Sequence, residues 1–408
     1  MSFQSRAVKR PGVWLFACLY FSEGAPIGFI WWALPTLLRT EGVALERITT
    51  LTALLVLPWT AKFLWAPAID ALRSARWGFR HWAMTAQLAM GACLLPLLWF
   101  DPVEHLNLWI ALLVLHAFFA ATQDVAIDAL AVSSARPDQR GWLNGAMQGG
   151  MLLGRSLFGG GAIWLASHFG WHAVLVALLV AIWISGLLLW RTQGEPPPAA
   201  KSGTVRAQFW NSLRRALSSR TTWLGLGFAV LAGAGFEAFG ALAGPFLVDS
   251  GVSTNATSFF FGVPVVGAML IGGLIGGRVA DGWGRQRAVV AGMIVLTVTL
   301  FGVAAGHHAG LTGSALMILM TMVYGGVGFF TASSYALFMD LTDPRLGATQ
   351  FSAFMAATNG CEAWAAWLGG RIAGGVGYAA MFIIMPLIAL VALLFLRALP
   401  RKLSGQEG

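Results

Sequence analysis

Apolar residues run in long blocks along the chain, and short polar breaks separate them. A helix that spans the hydrocarbon core of a membrane needs roughly 20 apolar residues. Twelve blocks of about that length are present, at about 13–38, 46–69, 81–100, 106–134, 139–167, 171–190, 221–248, 254–280, 286–306, 311–340, 345–370 and 374–397. The pattern predicts an all-α membrane protein with twelve transmembrane helices. The first block follows a basic start, Arg6, Lys9 and Arg10, as a signal peptide would. It is too long for one and has no small-residue cleavage site, so it is expected to stay as an uncleaved first helix.

Composition supports lipid as the solvent. The 408 residues are 57% hydrophobic and 11% charged, against about 25% charged in a soluble domain. Fifty glycines fit close helix packing, and nineteen tryptophans fit interfacial belts and cavity walls. Cys18, Cys93 and Cys361 lie in apolar blocks without metal-ligand spacing and imply no disulfide framework. The net charge of +9 is unevenly placed. Arg73, Arg76, Arg80, Arg136, Arg140, Arg285, Arg287, Arg401 and Lys402 follow even-numbered blocks, whereas Asp101, Glu104 and Asp249 lie in the opposite loops. The positive-inside rule then expects both termini in the cytoplasm. The most basic segment, 191–220, reads as a cytoplasmic linker with an amphipathic surface helix around Phe209 to Leu217. It would separate an N-terminal bundle, 1–190, from a C-terminal bundle, 221–408, and it contacts lipid in this reading rather than nucleic acid.

The two halves look alike. Gly141 and Gly154 align with Gly347 and Gly360 at one constant offset, and Gly277-Arg-Val-Ala-Asp281-Gly-Trp-Gly284-Arg285-Gln-Arg287 has a counterpart in Trp65-Ala-Pro67-Ala-Ile-Asp70 with Gly78-Phe-Arg80. Two parallel six-helix repeats suit a transporter architecture. The segment Gly277 to Arg287 also resembles the G-x-x-x-D-x-x-G-R signature of the major facilitator superfamily, and the resemblance covers essentially the whole chain. Within it, YFSEGAPIGF (20–29), LPWTAKFLWAPAID (57–70) and TQDVAIDAL (122–130) look like the muropeptide-permease-like group. ALPTLLRTEGVAL (33–45) and LPWTAKFLWAP (57–67) look closest to siderophore permeases of the rhizobactin and pyochelin uptake type, while Glu23 and the GFRH at 78–81 depart from the muropeptide pattern. The resemblance implies uptake of an iron–siderophore complex across a bacterial inner membrane, with a muropeptide permease or another proton symporter as the alternative.

Ionisable residues inside spans are costly and point to function. Apart from helix ends and histidines, seven fall there: Glu23, Lys62, Asp124, Asp128, Arg155, Glu237 and Glu362. At about 1.5 Å per residue, Glu23, Arg155, Glu237 and Glu362 come near the midplane of helices 1, 5, 7 and 11, which line the cavity in this architecture. They are candidates for substrate binding, with Gln123; interhelical salt bridges are the structural alternative. Asp124 and Asp128, four residues apart, share one face of helix 4, with Lys62 expected at similar depth. They are candidates for gating and proton coupling, together with Asp70, Asp281 and Arg285, or else a permanent structural cluster. A carboxylate whose cationic partner comes and goes can take up and release a proton.

Other features constrain less. His116 reads as a proton relay or as a packing histidine. Pro26, Pro58 and Pro67, with Gly24 and Gly28, can bend helices 1 and 2. Gly159-Gly160-Gly161 permits close helix approach and lacks the lysine of a phosphate loop. Phe29, Trp31, Trp32, Phe236, Phe239, Tyr324, Phe329 and Tyr335 are candidates for stacking on an aromatic ligand, or for packing. No HExxH, GxSxG or Cys/His cluster points to an enzyme, no signalling domain points to a sensor, and no nucleotide motif points to ATP. A gradient, of protons or of sodium, remains as the driving force, with no metal or cofactor and a monomeric chain expected. A single midplane arginine, Arg155, disfavours organophosphates.

Overall fold

The protein is described here by a computed structural model, which covers residues 12–72, 74, 77–134, 140–192, 214, 218–342 and 347–399. The described residues contain helices and turns and no strand. In chain order the helices are α1 (Val13–Gly28), α2 (Leu34–Thr40), α3 (Leu45–Ala61), α4 (Ala66–Ala71), α5 (Phe79–Leu94), α6 (Leu106–Ser134), α7 (Arg140–Ser156) and α8 (Ala162–Arg191). They continue as α9 (Arg220–Ala232), α10 (Ala234–Asp249), α11 (Thr254–Gly262), α12 (Pro264–Trp283), α13 (Arg285–His308), α14 (Gly313–Leu341), α15 (Gly347–Val376), α16 (Tyr378–Leu390) and α17 (Ala392–Ala398). Most of the expected linker, 193–213, and the C-terminal tail lie outside the described residues, as do Arg73, Arg76 and Arg136.

Nine stretches among the described residues are long and apolar enough to cross a membrane. One of them, Gly145–Arg191, has 47 residues, which is about 70 Å of helix and twice a hydrocarbon core. It breaks at Gly170, whose φ of 77° no other residue type adopts easily. Two of the expected crossings fall outside the nine. The helix α3 has 17 residues, and α15, although 30 residues long, carries Gln350, Thr358, Asn359, Glu362 and Arg371. The break between α15 and α16 comes at Gly377, φ 101°, several residues later than the apolar pattern suggests.

Several spans are interrupted, for reasons visible in the sequence. Proline removes a backbone donor and crowds the preceding turn. After Pro26 the first span passes through a π turn, Phe29–Ala33, before α2. After Pro58, α3 ends in a 3-10 turn, Lys62–Leu64. Pro264 opens α12 behind a break at Val263. The glycine triplet lies in a second π turn, Leu157–Gly161, which packs on α1.

Packing divides the chain into two compact units. The first takes the described residues of Met1–Ile30 and Leu64–Lys201; the second takes Trp31–Phe63 and those of Ser202–Gly408. This is a division by contact, whereas the expected bundles are a division by repeat. In the first unit α1 crosses α7 at backbone distance. Added Cβ atoms on Gly24 and Gly28 would strike the backbone of Met151 and Arg155, and on Gly150 and Gly154 that of Ala17 and Phe21. Both helices thus use a Gly-x-x-x-Gly pair against the other, the arrangement that lets helices attract one another in lipid. In the second unit Gly272 and Gly276 of α12 meet Gly325 and Phe329 of α14 in the same way. The helix α15 receives α3 at Gly370, facing Thr49, and at Gly374, facing Glu46.

These crossings predict the effect of substitution. Gly154→Leu is expected to cost about 1–3 kcal/mol through overpacking and to lower the detergent melting temperature clearly. Gly145→Ala, on the same helix with open space around it, should leave that temperature unchanged or raise it slightly. Equal melting of the two variants would show that the α1–α7 contact does not limit stability.

Candidate functional site

In the first unit three carboxylates gather round one phenol. The Tyr20 hydroxyl on α1 donates a hydrogen bond to the Asp128 carboxylate on α6, and Glu23 and Asp124 act electrostatically on the same phenol. Tyr20 and Glu23 lie one turn apart on α1, as Asp124 and Asp128 do on α6. Glu23 and Asp124 are buried, at 6% and 5% exposure, while Asp128 is exposed. The shared face expected for the two aspartates therefore runs from a buried position to an exposed one.

The backbone around Glu23 is held from three sides. Gln87 on α5 donates to Ser22 Oγ at 3.3 Å and to Ser185 Oγ on α8 at 2.7 Å. Gly24 lies against α7, and Tyr20 is tied to α6. Arg155, on α7, is half-buried, and its backbone is the surface that Gly28 meets. Gln123 is fully buried, and neither atom of its carboxamide has a hydrogen-bond partner among the described residues. His116 is buried with Nδ1 3.0 Å from the Met90 carbonyl oxygen. A carbonyl can only accept, so Nδ1 carries the hydrogen, and the ring is fixed to α5 as a packing histidine would be.

In the second unit Glu237 on α10 and Glu362 on α15 both lie near the buried Cys361 thiol. A Cβ on Gly233 would come within 3.2 Å of Glu237 Cγ and 3.4 Å of Cys361 Sγ. Lys62 lies on the 3-10 turn that ends α3. The helix α3 runs antiparallel to α15, with Glu46, Thr49 and Thr60 at Gly374, Gly370 and Gly360. Asp70 sits on the short helix α4.

The signature loop forms a three-residue charge cluster. Gly284, φ 91°, separates α12 from α13. Across it Arg285 donates to Asp281, and its Nε also lies 3.3 Å from Asp340 Oδ2 near the end of α14. Asp340 and Tyr20 were not among the expected residues. The i,i+3 spacing of Tyr20 and Glu23 was a usable signal; nothing local to Asp340 predicts its partner. Three of the candidate stacking aromatics prove to pack on one another. Trp32 stacks on Phe261 at 5.6 Å between centroids and meets Tyr324 edge-on, and Tyr324 lies 5.4 Å from Phe239. All four rings are buried, so these faces are spent on the core in this arrangement.

A helical membrane protein with paired glycine crossings, buried acids and the loop Gly277–Arg287 narrows the identity, and comparison with known proteins decides it. The family model described as Major Facilitator Superfamily matches residues 16–365. The chain belongs to this superfamily. It is similar to the anhydromuropeptide permease of Escherichia coli K12, with 27% identity over 365 residues, covering 85% of this chain and 71% of that one. It is also similar to the putative transporter AmpG 4 of Rickettsia conorii, 22% identical over 397 residues, covering 94% and 95%. Among solved structures, a D-xylose-proton symporter superposes with a TM-score of 0.72 at 13% identity over 95% of this chain and 96% of that one, a likeness of fold. The chain is thus a multi-pass membrane transporter. The muropeptide alternative gains from these relatives, and the siderophore branch expected from 33–45 and 57–67 gains no support.

The signature cluster yields a prediction. Asp281→Asn should slow transport roughly ten-fold, the factor that about 1.4 kcal/mol in a barrier gives, while protein abundance changes little. Gly284→Ala should instead lower the melting temperature, because that backbone region costs a side chain about 1–3 kcal/mol. Equal loss of rate and abundance in Asp281→Asn, measured by uptake and immunoblot, would assign the residue to folding alone.

Proposed function

We propose that this chain imports muropeptides across a bacterial inner membrane, coupled to protons, by alternating access of twelve helices with both termini in the cytoplasm. What carries the reading is similarity along 85% of the chain to a relative named anhydromuropeptide permease, beside similarity along 94% to the putative transporter AmpG 4. The chemistry agrees. A muropeptide joins sugar hydroxyls to a peptide with carboxylates and amines, and within the first unit Arg155 offers a fork for a carboxylate and Glu23 an acceptor for an amine. Asp124 and Asp128 suit proton coupling, since one is buried and the other exposed on the same helix face.

The test is uptake of labelled anhydromuropeptide into proteoliposomes under an imposed pH gradient, with a ferri-siderophore in a parallel arm. Accumulation of the muropeptide supports the proposal; accumulation of the siderophore alone would replace it with the other branch. Asp124→Asn keeps the shape and removes the titrating group. It is expected to reduce gradient-driven accumulation by an order of magnitude or more, while exchange without a gradient survives. Asp128→Asn should weaken both modes, because the acceptor of the Tyr20 hydroxyl loses its charge, and protein levels need parallel measurement. Full gradient-driven accumulation by Asp124→Asn would move the coupling role to Glu23.

A further inference from the structure

Four positions of α6 fall on one helix face: His116, Ala120, Gln123 and Asp124. All four are buried, at 1%, 3%, 0% and 5% exposure. Three carry polar groups, and the position between them is alanine. Helical side chains lean towards the N-terminus of their helix, so Gln123 and Asp124 lean over Ala120 towards His116. From His116 to Gln123 the helix rises about 10.5 Å, and the Ala120 methyl fills little of that length.

Protein groups do not account for the polar atoms on this face. Among the described residues, neither Oε1 nor Nε2 of Gln123 has a hydrogen-bond partner, and neither has Nε2 of His116. His116 Nδ1 donates to the Met90 carbonyl at 3.0 Å, so Nε2 presents a lone pair. The face thus offers two acceptors, His116 Nε2 and Gln123 Oε1, and one donor, Gln123 Nε2. The helix α5 packs along α6 with Met90 at His116. Its buried Ala83 and Ala86 have no polar side-chain atoms, and Gln87 is turned to Ser22 and Ser185. Buried polar side chains are satisfied in the great majority of cases, by protein or by ordered water. A small molecule that both donates and accepts fits this set, and water takes such positions inside proteins.

We propose that Gln123 and His116 hold ordered water over Ala120, and that Asp124 exchanges its proton through this water. The step is a shift of hydrogen bonds. An Asp124 carboxylate oxygen takes a proton from a water O–H, and that water regains one along the next hydrogen bond. One proton has then moved and the water is unchanged. Tyr20 and Glu23 of α1 and Asp128 of α6 are the other titratable groups gathered at Asp124. The inference rests on the coupling role proposed for Asp124 and is independent of the cargo.

Two measurements on the full-length chain in liposomes test it, both without substrate. Brief X-ray radiolysis turns water into hydroxyl radicals, which oxidise side chains beside bound water. Met90 and Met381, on α5 and α16, are both 0% exposed. Oxidation of Met90, read by mass spectrometry, is expected to be about ten-fold faster than that of Met381 and to fall to the Met381 rate in Gln123→Leu and in Ala120→Val. A pH jump followed by infrared spectroscopy reads the carboxyl band that Asp124→Asn removes. That band is expected to respond about ten-fold more slowly in Gln123→Leu than in the unchanged chain. Oxidation of Met90 as slow as that of Met381 in the unchanged chain would overturn the proposal, and that comparison stands even where a variant fails to fold. So would an Asp124 band whose rate is the same in Gln123→Leu, or the lack of any band that Asp124→Asn removes. Failure to accumulate muropeptide alters none of these readouts, so the two readings fail separately.

Discussion

In lipid, apolar side chains gain nothing by leaving one helix's surroundings for another's, so helices must attract one another by contact. The contact available here is backbone against backbone at glycine. Gly24 and Gly28 on α1 meet the backbone of α7, Gly150 and Gly154 on α7 meet the backbone of α1, and Gly272 and Gly276 on α12 meet α14. Everything else depends on those crossings. They hold Glu23 beside the helix that carries Arg155, and they keep α12 and α14 close enough for Arg285 to reach both Asp281 and Asp340.

The charges follow from the same constraint. A lone ion is expensive in hydrocarbon, so a span that retains one must surround it with polar groups or wet it. The first unit uses polar groups. Asp128 accepts from Tyr20, and the backbone beside Glu23 is fixed by the Ser22, Gln87 and Ser185 network, which consumes polar side chains that the sequence scatters over three helices. The result is a backbone fixed from several helices beside the buried acids Glu23 and Asp124.

The spans were legible because apolarity is additive along the chain. The block expected at about 106–134 is the helix Leu106–Ser134. The interior breaks were less so: Pro26 announced a bend and the glycine triplet a close helix approach, but neither announced that a π turn would form there, since that depends on what packs alongside. Gly24, Gly28 and Gly154 were noted as bends or repeat markers, although their four-residue spacing already described a helix crossing. Buried acids stood out individually against an apolar background. Their partners did not, because Tyr20 and Asp128 are 108 positions apart and Asp340 gains its role from a loop more than fifty residues before it in sequence.

The break at Gly170 has a consequence for how the protein is made. Two helices meet there at a single residue of positive φ, inside a stretch of 47 residues. A turn so short contains almost nothing hydrophilic to be carried through the insertion machinery. The two helices can therefore enter the bilayer together as one hairpin, each satisfying its own backbone before the rest of the bundle assembles. The same brevity leaves little slack at Gly170, so a tag inserted there would have to part the two helices that meet at it.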